Sequence, residues 1–247
     1  AAVISAESGT YYENFAIYQS DDIKVHGASD ANPEQTIVKT SNKTAVVNGS
    51  GFGIYIHNES NQLSDIQLHG LQIDGPDLAD FSSGEFAGLV YLNAMNITID
   101  HCNLNVPSVD YGTSTLPSVG MSNATALDPV QWSIEGLHIH DNSFLALDGA
   151  TDPLGYGAIN LDYENSSTWT SQVNVNNNTI GGEVLIGIQS DILSDVNLEG
   201  NLLVSSGLDM TTDMTYDTGE SENGIRVGTT SHTFTDYLIS CNDISGF

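Results

Sequence analysis

The residues best suited to chemistry in this chain are a row of imidazoles and carboxylates. His69, Asp100 and His140 occupy one position of a short recurring pattern, with His26, Asn176 and Glu199 at the same position in other copies. His138, His101 and Asp141 lie beside them. Imidazole and carboxylate in such a row could hold Zn²⁺ or act as acid and base. The plainer reading is a solvated polar corner. Positions stacked about 5 Å apart seldom converge on one ion without a further bend.

Two other groups invite the same question. Asp209, Asp213 and Asp217 fall in "SGLDMTTDMTYDTGESE", and Asp74, Asp77 and Asp80 in "DGPDLAD". Their oxygens suit calcium, a possible bound ion, but neither stretch has the ligand spacing of an EF-hand loop. Solvated acidic loops are the simpler account. The cations are Lys24, Lys39, Lys43 and Arg226. Arg226 is the best placed, pointing outward between Ile225 and Val227 on a strand-like segment, with Asp162 of "GYGAINLDY" on a neighbouring one. Glycoside hydrolysis needs two carboxylates a few ångströms apart on one face, and no such pair recurs by spacing. A surface cation neutralising nearby carboxylates explains Arg226 as well.

These residues are carried by a repeat. Two apolar residues sit two apart, a small or polar residue follows five after the first, and another apolar residue comes two later. Ile97, Ile99, Cys102 and Leu104 fit, as do Leu137, Ile139, Asn142 and Phe144. So do Val173, Val175, Asn178 and Ile180; Val196, Leu198, Asn201 and Leu203; and Tyr237, Ile239, Asn242 and Ile244. Ile66, Leu68, Leu71 and Ile73 keep the spacing, and Ile23 and Val25 begin a looser copy. A further apolar pair precedes most copies, for example Ile54 and Ile56, Ile159 and Leu161, or Ile186 and Ile188. Each unit therefore reads strand, turn, strand, tight turn, strand, loop.

From Leu71 to Asn242 the third-site residues are 31, 40, 36, 23 and 41 positions apart. The shortest interval holds three short strands and their turns but no crossover helix. Repeats that bury a face only against their neighbours build a solenoid. The spacing predicts an all-β, right-handed parallel β-helix of about seven three-strand coils, the first led by Phe15 and Ile17, forming a single domain over residues 1–247. Equivalent positions then stack ~4.8 Å apart. Asn142, Asn178, Asn201 and Asn242 would form an asparagine ladder at the tight turn, where Asn tolerates left-handed backbone.

Composition narrows the partners. Lys and Arg number 4 against 32 Asp and Glu, a formal charge of -28. Nucleic acid and anionic lipid need a basic footprint and are excluded. A chain this acidic repels itself unless salt screens it, which favours a high-salt habitat. No apolar run reaches the ~20 residues of a membrane span. The chain opens on the strand-like "AAVIS", so a leader or longer N-terminal region is expected to have been removed. Sequons at Asn42, Asn48, Asn58, Asn96, Asn123, Asn165 and Asn177 fit a surface glycoprotein, extracellular or attached to a cell.

The spacing, with "SGTYYENFAI" near the start, resembles right-handed parallel β-helix proteins of the pectin-lyase-like superfamily. The resemblance covers nearly the whole chain and implies the fold more than any one activity. Members include polysaccharide lyases, polygalacturonases and tailspike adhesins. Lyases of the fold use Lys or Arg as base, which would fall to Arg226, and "IRV" resembles the polygalacturonase arginine motif. The paired aspartates and Gly-His motif expected with it are missing. The long loops, Gly75 to Gly88, Pro107 to Asn123, Asp148 to Gly157 and Ser205 to Asn223, follow third strands and would crowd one corner. Tyr111, Tyr156 and Tyr216, with Phe81 and Phe86, lie in or beside them and could bind carbohydrate or pin the loops to the coil.

Cys102 and Cys241 belong to coils four apart, roughly 19 Å along the axis, so they should not pair within one chain. The favoured function is a non-catalytic extracellular solenoid in a high-salt environment. With no capping helix in sight, it would stack end to end as a filament, sheath or layer subunit, or form one segment of a longer surface protein. The alternative is a polysaccharide-active enzyme or carbohydrate-binding adhesin.

Overall fold

Short β-branched and leucine pairs alternating with polar residues can bury one face only if each strand lies on an equivalent strand of the next turn. The computed structural model shows this arrangement. It describes residues 2–18, 20–40, 46–47, 50–57, 62–75, 86–106, 118–123, 135–146, 157–161, 172–182, 186–190, 195–205, 223–227 and 236–246. Three long parallel sheets form the walls of a parallel β-helix.

The first-strand sheet runs through Phe15–Ile17, Ser50–Ile56, Phe86–Leu92, Ser118–Ser122, Gly157–Leu161, Ile186–Ser190 and Asn223–Val227. The second-strand sheet holds Ala2–Ser5, Ile23–His26, Leu63–His69, Ala94–Asp100, Leu137–His140, Val173–Asn176, Val196–Glu199 and Tyr237–Ser240. The third-strand sheet holds Gly9–Tyr12, Thr36–Lys39, Gln72–Asp74, Asn103–Val106, Ser143–Ala146, Thr179–Gly182, Leu202–Ser205 and Asp243–Ser245. Seven coils start at Phe15 as expected, and two further strands, Ala2–Ser5 and Gly9–Tyr12, lie ahead of them. Among the described residues only Val46–Val47 pairs antiparallel, against Ser50 and Gly51. No helix there is long and apolar enough to cross a membrane.

The core is the repeat itself. Ile66, Ile97, Leu137, Val173 and Val196 stack in register, as do Leu68, Ile99, Ile139, Val175 and Leu198, and all are buried. On the first strands, small residues such as Gly120, Ala158, Gly187 and Gly224 make room for third-strand side chains. A Cβ on Gly187 would lie 2.4 Å from Leu203 Cδ2 and 2.6 Å from the Gly224 carbonyl oxygen. A Cβ on Gly120 would lie 2.4 Å from the Ala158 carbonyl oxygen and 3.0 Å from Phe144.

Two expectations need correction. The segment Pro107 to Asn123 is not all loop, because Ser118–Ser122 is the first strand of its coil, with Met121 in register between Val90 and Ile159. Long stretches of sequence also separate first from second strands, between Ser118–Ser122 and Leu137–His140, Gly157–Leu161 and Val173–Asn176, and Asn223–Val227 and Tyr237–Ser240.

The asparagine ladder is present, with a different division of labour. Asn142 Nδ2 donates to Asn178 Oδ1 at 3.0 Å, Asn178 Nδ2 to Asn201 Oδ1 at 3.0 Å, and Asn201 Nδ2 to Asn242 Oδ1 at 2.9 Å. The left-handed residue is the one before each ladder position: Gly70, His101, Asp141, Asn177, Gly200 and Cys241 all have φ between 55° and 69°. The ladder side chains instead satisfy the backbone that this turn leaves open. Each Oδ1 also accepts the backbone N–H of the preceding ladder residue, and each Nδ2 also donates to a strand carbonyl, Ile99, Ile139, Val175 or Leu198. A second left-handed column runs through Asp22, Gly136, Asp195 and Asp236, each just before a second strand, and through Asp65 and Asn96, which lie inside Leu63–His69 and Ala94–Asp100.

Candidate functional site

The pleat sends the last residue of each second strand outward. Register therefore stacks His26 on His69, His69 on Asp100, Asp100 on His140, His140 on Asn176 and Asn176 on Glu199. The expected row exists, but its members do not share one site. His140 directs Nδ1 at Asp141 Oδ2, 2.8 Å away, and leaves Asp100 to others.

Asp100 is instead met by His101. The left-handed turn at His101, φ 55°, places its Nδ1 3.1 Å from Asp100 Oδ2. His69 Nδ1 lies 2.6 Å from the same oxygen. The other carboxylate oxygen accepts a hydrogen bond from Gln67 Nε2 at 2.9 Å. One donor atom from each of His69, Asp100 and His101 falls within 4.8 Å of the others. The groups that converge are His69, Asp100 and His101, the last of them one of the neighbours beside the row, while His140 stands apart. Strand stacking alone could not converge, and the bend that allows it is the turn.

A fourth group comes from outside the repeat. Asp30 Oδ1 lies 2.9 Å from His69 Nε2. It sits on the connection between Ile23–His26 and the 3₁₀ turn Pro33–Gln35. That connection reaches the corner because glycine lines the approach: a Cβ on Gly27 would strike the Gly70 carbonyl, and one on Gly70 would sit 3.2 Å from Ser29 O and 3.7 Å from Asp30 Cα. The buried Thr36 Oγ1 ties it down by accepting the Ala28 N–H at 2.9 Å.

His69 thus has a carboxylate at each ring nitrogen. Burial works against its charged form, but the hydrogen bonds to Asp30 and Asp100 outweigh it and raise its pKa above the ordinary 6.5. Burial pushes the Asp100 carboxyl up, yet hydrogen bonds from Gln67, His69 and His101 hold it below its usual range. Asp30, in open solvent, is lowered chiefly by its hydrogen bond to His69. The rings of His26, His69 and His101 follow one another with centroids 5.0 and 5.3 Å apart. A groove lined by Asp30, Pro33, His101, Asn103 and Asp141 opens beside the cluster.

Arg226 is half-buried in Asn223–Val227, in register with Gln189, and points away from the core as expected. The outward row below it, Tyr91, Ser122, Asn160 and Gln189, is buried, which alternation alone assigns to solvent. Asn96 and Asn177 are exposed, whereas Asn123 is 5 % exposed, which argues against a glycan there. Asp162, Asp209, Asp213, Asp217, Tyr111, Tyr156, Tyr216, Asn42, Asn48, Asn58 and Asn165 lie outside the described residues. Cys102 is buried, Cys241 exposed, and neither is in a disulfide.

No protein-family model, characterised protein or solved structure matches this chain.

Proposed function

We propose that the chain is a non-catalytic extracellular or cell-surface β-solenoid, a rigid rod that stacks end to end on copies of itself in a salt-rich medium. The supporting observation is the contrast between inner and terminal rungs. Leu198 and Leu203 are 0 % exposed, but their register partners on the last rung, Ile239 and Ile244, are 48 % and 45 % exposed. At the other end Ile4 stacks on the buried Val25 and is 54 % exposed. The first and last described rungs are three-sided parallel edges with apolar side chains at the centre, which a further rung, from a copy of the chain or from more of the same chain, would cover. The charge of -28 opposes such stacking until salt screens it.

Electron microscopy and light scattering of the purified chain across a NaCl series test this reading. Filaments that lengthen with salt, and that shorten to single rods in an Ile239→Lys/Ile244→Glu variant, are expected. Single rods at every salt and protein concentration would overturn the stacking, and unsaturated products from a polyuronate panel would overturn the non-catalytic assignment.

A further inference from the structure

We propose that His69, Asp100 and His101 form a divalent transition-metal site, that Zn²⁺ is the ion it fits, and that Asp30 is the positioning residue holding His69 in its ligating orientation. Two imidazole nitrogens and one carboxylate oxygen already converge, with His69 Nδ1 and His101 Nδ1 both directed at Asp100 Oδ2. Tetrahedral zinc with bonds of about 2.0–2.1 Å keeps its donors roughly 3.3 Å apart. The spacings to Asp100 Oδ2 are 2.6 and 3.1 Å and all three donors lie within 4.8 Å of one another, so an ion needs Asp100 Oδ2 to draw back from between the rings and the half-exposed His101 side chain to adjust.

The groups behind the donors are also those a metal histidine uses. A ligating imidazole usually gives its other N–H to a carboxylate, which fixes ring orientation and raises basicity. His69 Nε2 has Asp30 Oδ1 at 2.9 Å. A ligating carboxylate is steadied through its second oxygen, and Asp100 Oδ1 has Gln67 Nε2 at 2.9 Å. The groove along Asp30, Pro33, His101 and Asn103 opens on the His101 side of the cluster and would give an ion its approach. Nitrogen donors in the majority disfavour Ca²⁺ and Mg²⁺, which prefer oxygen. His140 lies outside the converging set, with its Nδ1 directed at Asp141.

Calorimetric titration of the chelator-treated full chain with ZnCl₂ tests the site. It is run in molar NaCl with excess Mg²⁺ to silence the acidic surface. One saturable Zn²⁺ per chain is expected. His69→Gln and His101→Asn should each weaken it at least 10-fold; Asn tolerates the left-handed φ, so the second variant keeps the turn. Asp30→Asn should weaken it about 10- to 100-fold with the stoichiometry kept, as loss of an outer-shell partner does. His140→Gln should leave it unchanged. Absence of saturable binding, equal loss in His140→Gln, or binding that survives both ligand variants would overturn the proposal. Circular dichroism of each variant separates lost ligation from lost folding.

Discussion

Asn178 Oδ1 accepts two hydrogen bonds from Asn142, one from its backbone N–H at 3.1 Å and one from its Nδ2 at 3.0 Å. Asn178 Nδ2 in turn reaches the Ile139 carbonyl at 2.9 Å and Asn201 Oδ1 at 3.0 Å. One buried side chain thus satisfies polar groups on two neighbouring coils. Asn178→Ala strands several of them at once, and each unmet buried group costs about 1–3 kcal/mol. Loss of about 2–4 kcal/mol is expected from urea unfolding. Asn242→Ala, at the half-buried end of the ladder, should cost about 1 kcal/mol. Equal losses at the two positions would show that the ladder does not act through buried hydrogen bonds.

The two thiols should differ sharply in reactivity. Cys102 fills a ladder position in the core, and burial pushes its thiol up to about 12. Cys241 sits exposed at the left-handed position of its turn. The thiolate is the reactive species. An aromatic disulfide reagent should therefore titrate one thiol per native chain and two after unfolding. Cys241→Ser should abolish the native reaction. A fast native reaction in Cys241→Ser would place Cys102 outside the core.

The coil was legible because its signal is repeated. Val173, Val175, Asn178 and Ile180 would be ambiguous alone, but the same offsets at Val196, Leu198, Asn201 and Leu203 fix both register and ladder. The turn was assigned one residue late. Spacing cannot separate two adjacent polar positions, although Gly70 and Gly200 in the preceding column carried the answer. Ser118–Ser122 was missed because "SVGMS" offers only two apolar residues in a small-residue stretch. The converging cluster was half legible. His69 and Asp100 share a repeat position, but His101 joins them through a backbone dihedral that no spacing reveals. Asp30 arrives on a connection with no place in the repeat.

The small residues of the first strands are a packing requirement with a measurable consequence. A methyl group at Gly187 meets Leu203 on one side and backbone of the next coil on the other. The Leu203 side chain can rotate, but the Gly224 carbonyl belongs to a parallel ladder and cannot move without breaking it. Overpacking of this kind costs typically 1–3 kcal/mol. Gly187→Ala should lower the urea midpoint accordingly, and Gly187→Ala/Leu203→Ala should recover little of the loss, since the backbone contact persists. Gly181→Ala, whose Cβ meets only the Val204 carbonyl at 3.9 Å, should be close to neutral. A neutral Gly187→Ala would mean that the coils are spaced more loosely here than the ladder indicates.

Stability should also depend on salt in a definite direction. Folding brings 32 carboxylates against 4 cations into a rod in which equivalent positions repeat about every 4.8 Å, so like charges are closer than in the unfolded chain. Self-repulsion of this kind is screened within about 10 Å at 0.1 M ionic strength and about 3 Å at 1 M. Adding NaCl from a few millimolar to the molar range should therefore raise the thermal midpoint steeply at first and then level off, as screening between neighbouring coils saturates. Chloride is the informative anion, because sulfate would also strengthen apolar burial and obscure the charge effect. A variant replacing exposed Asp243 and Glu199 by Asn and Gln should start from a higher midpoint at low salt and gain less from NaCl. A midpoint that falls or stays flat with NaCl would show that carboxylate repulsion is not what limits this fold, and would remove the reason for assigning the rod to a salt-rich medium.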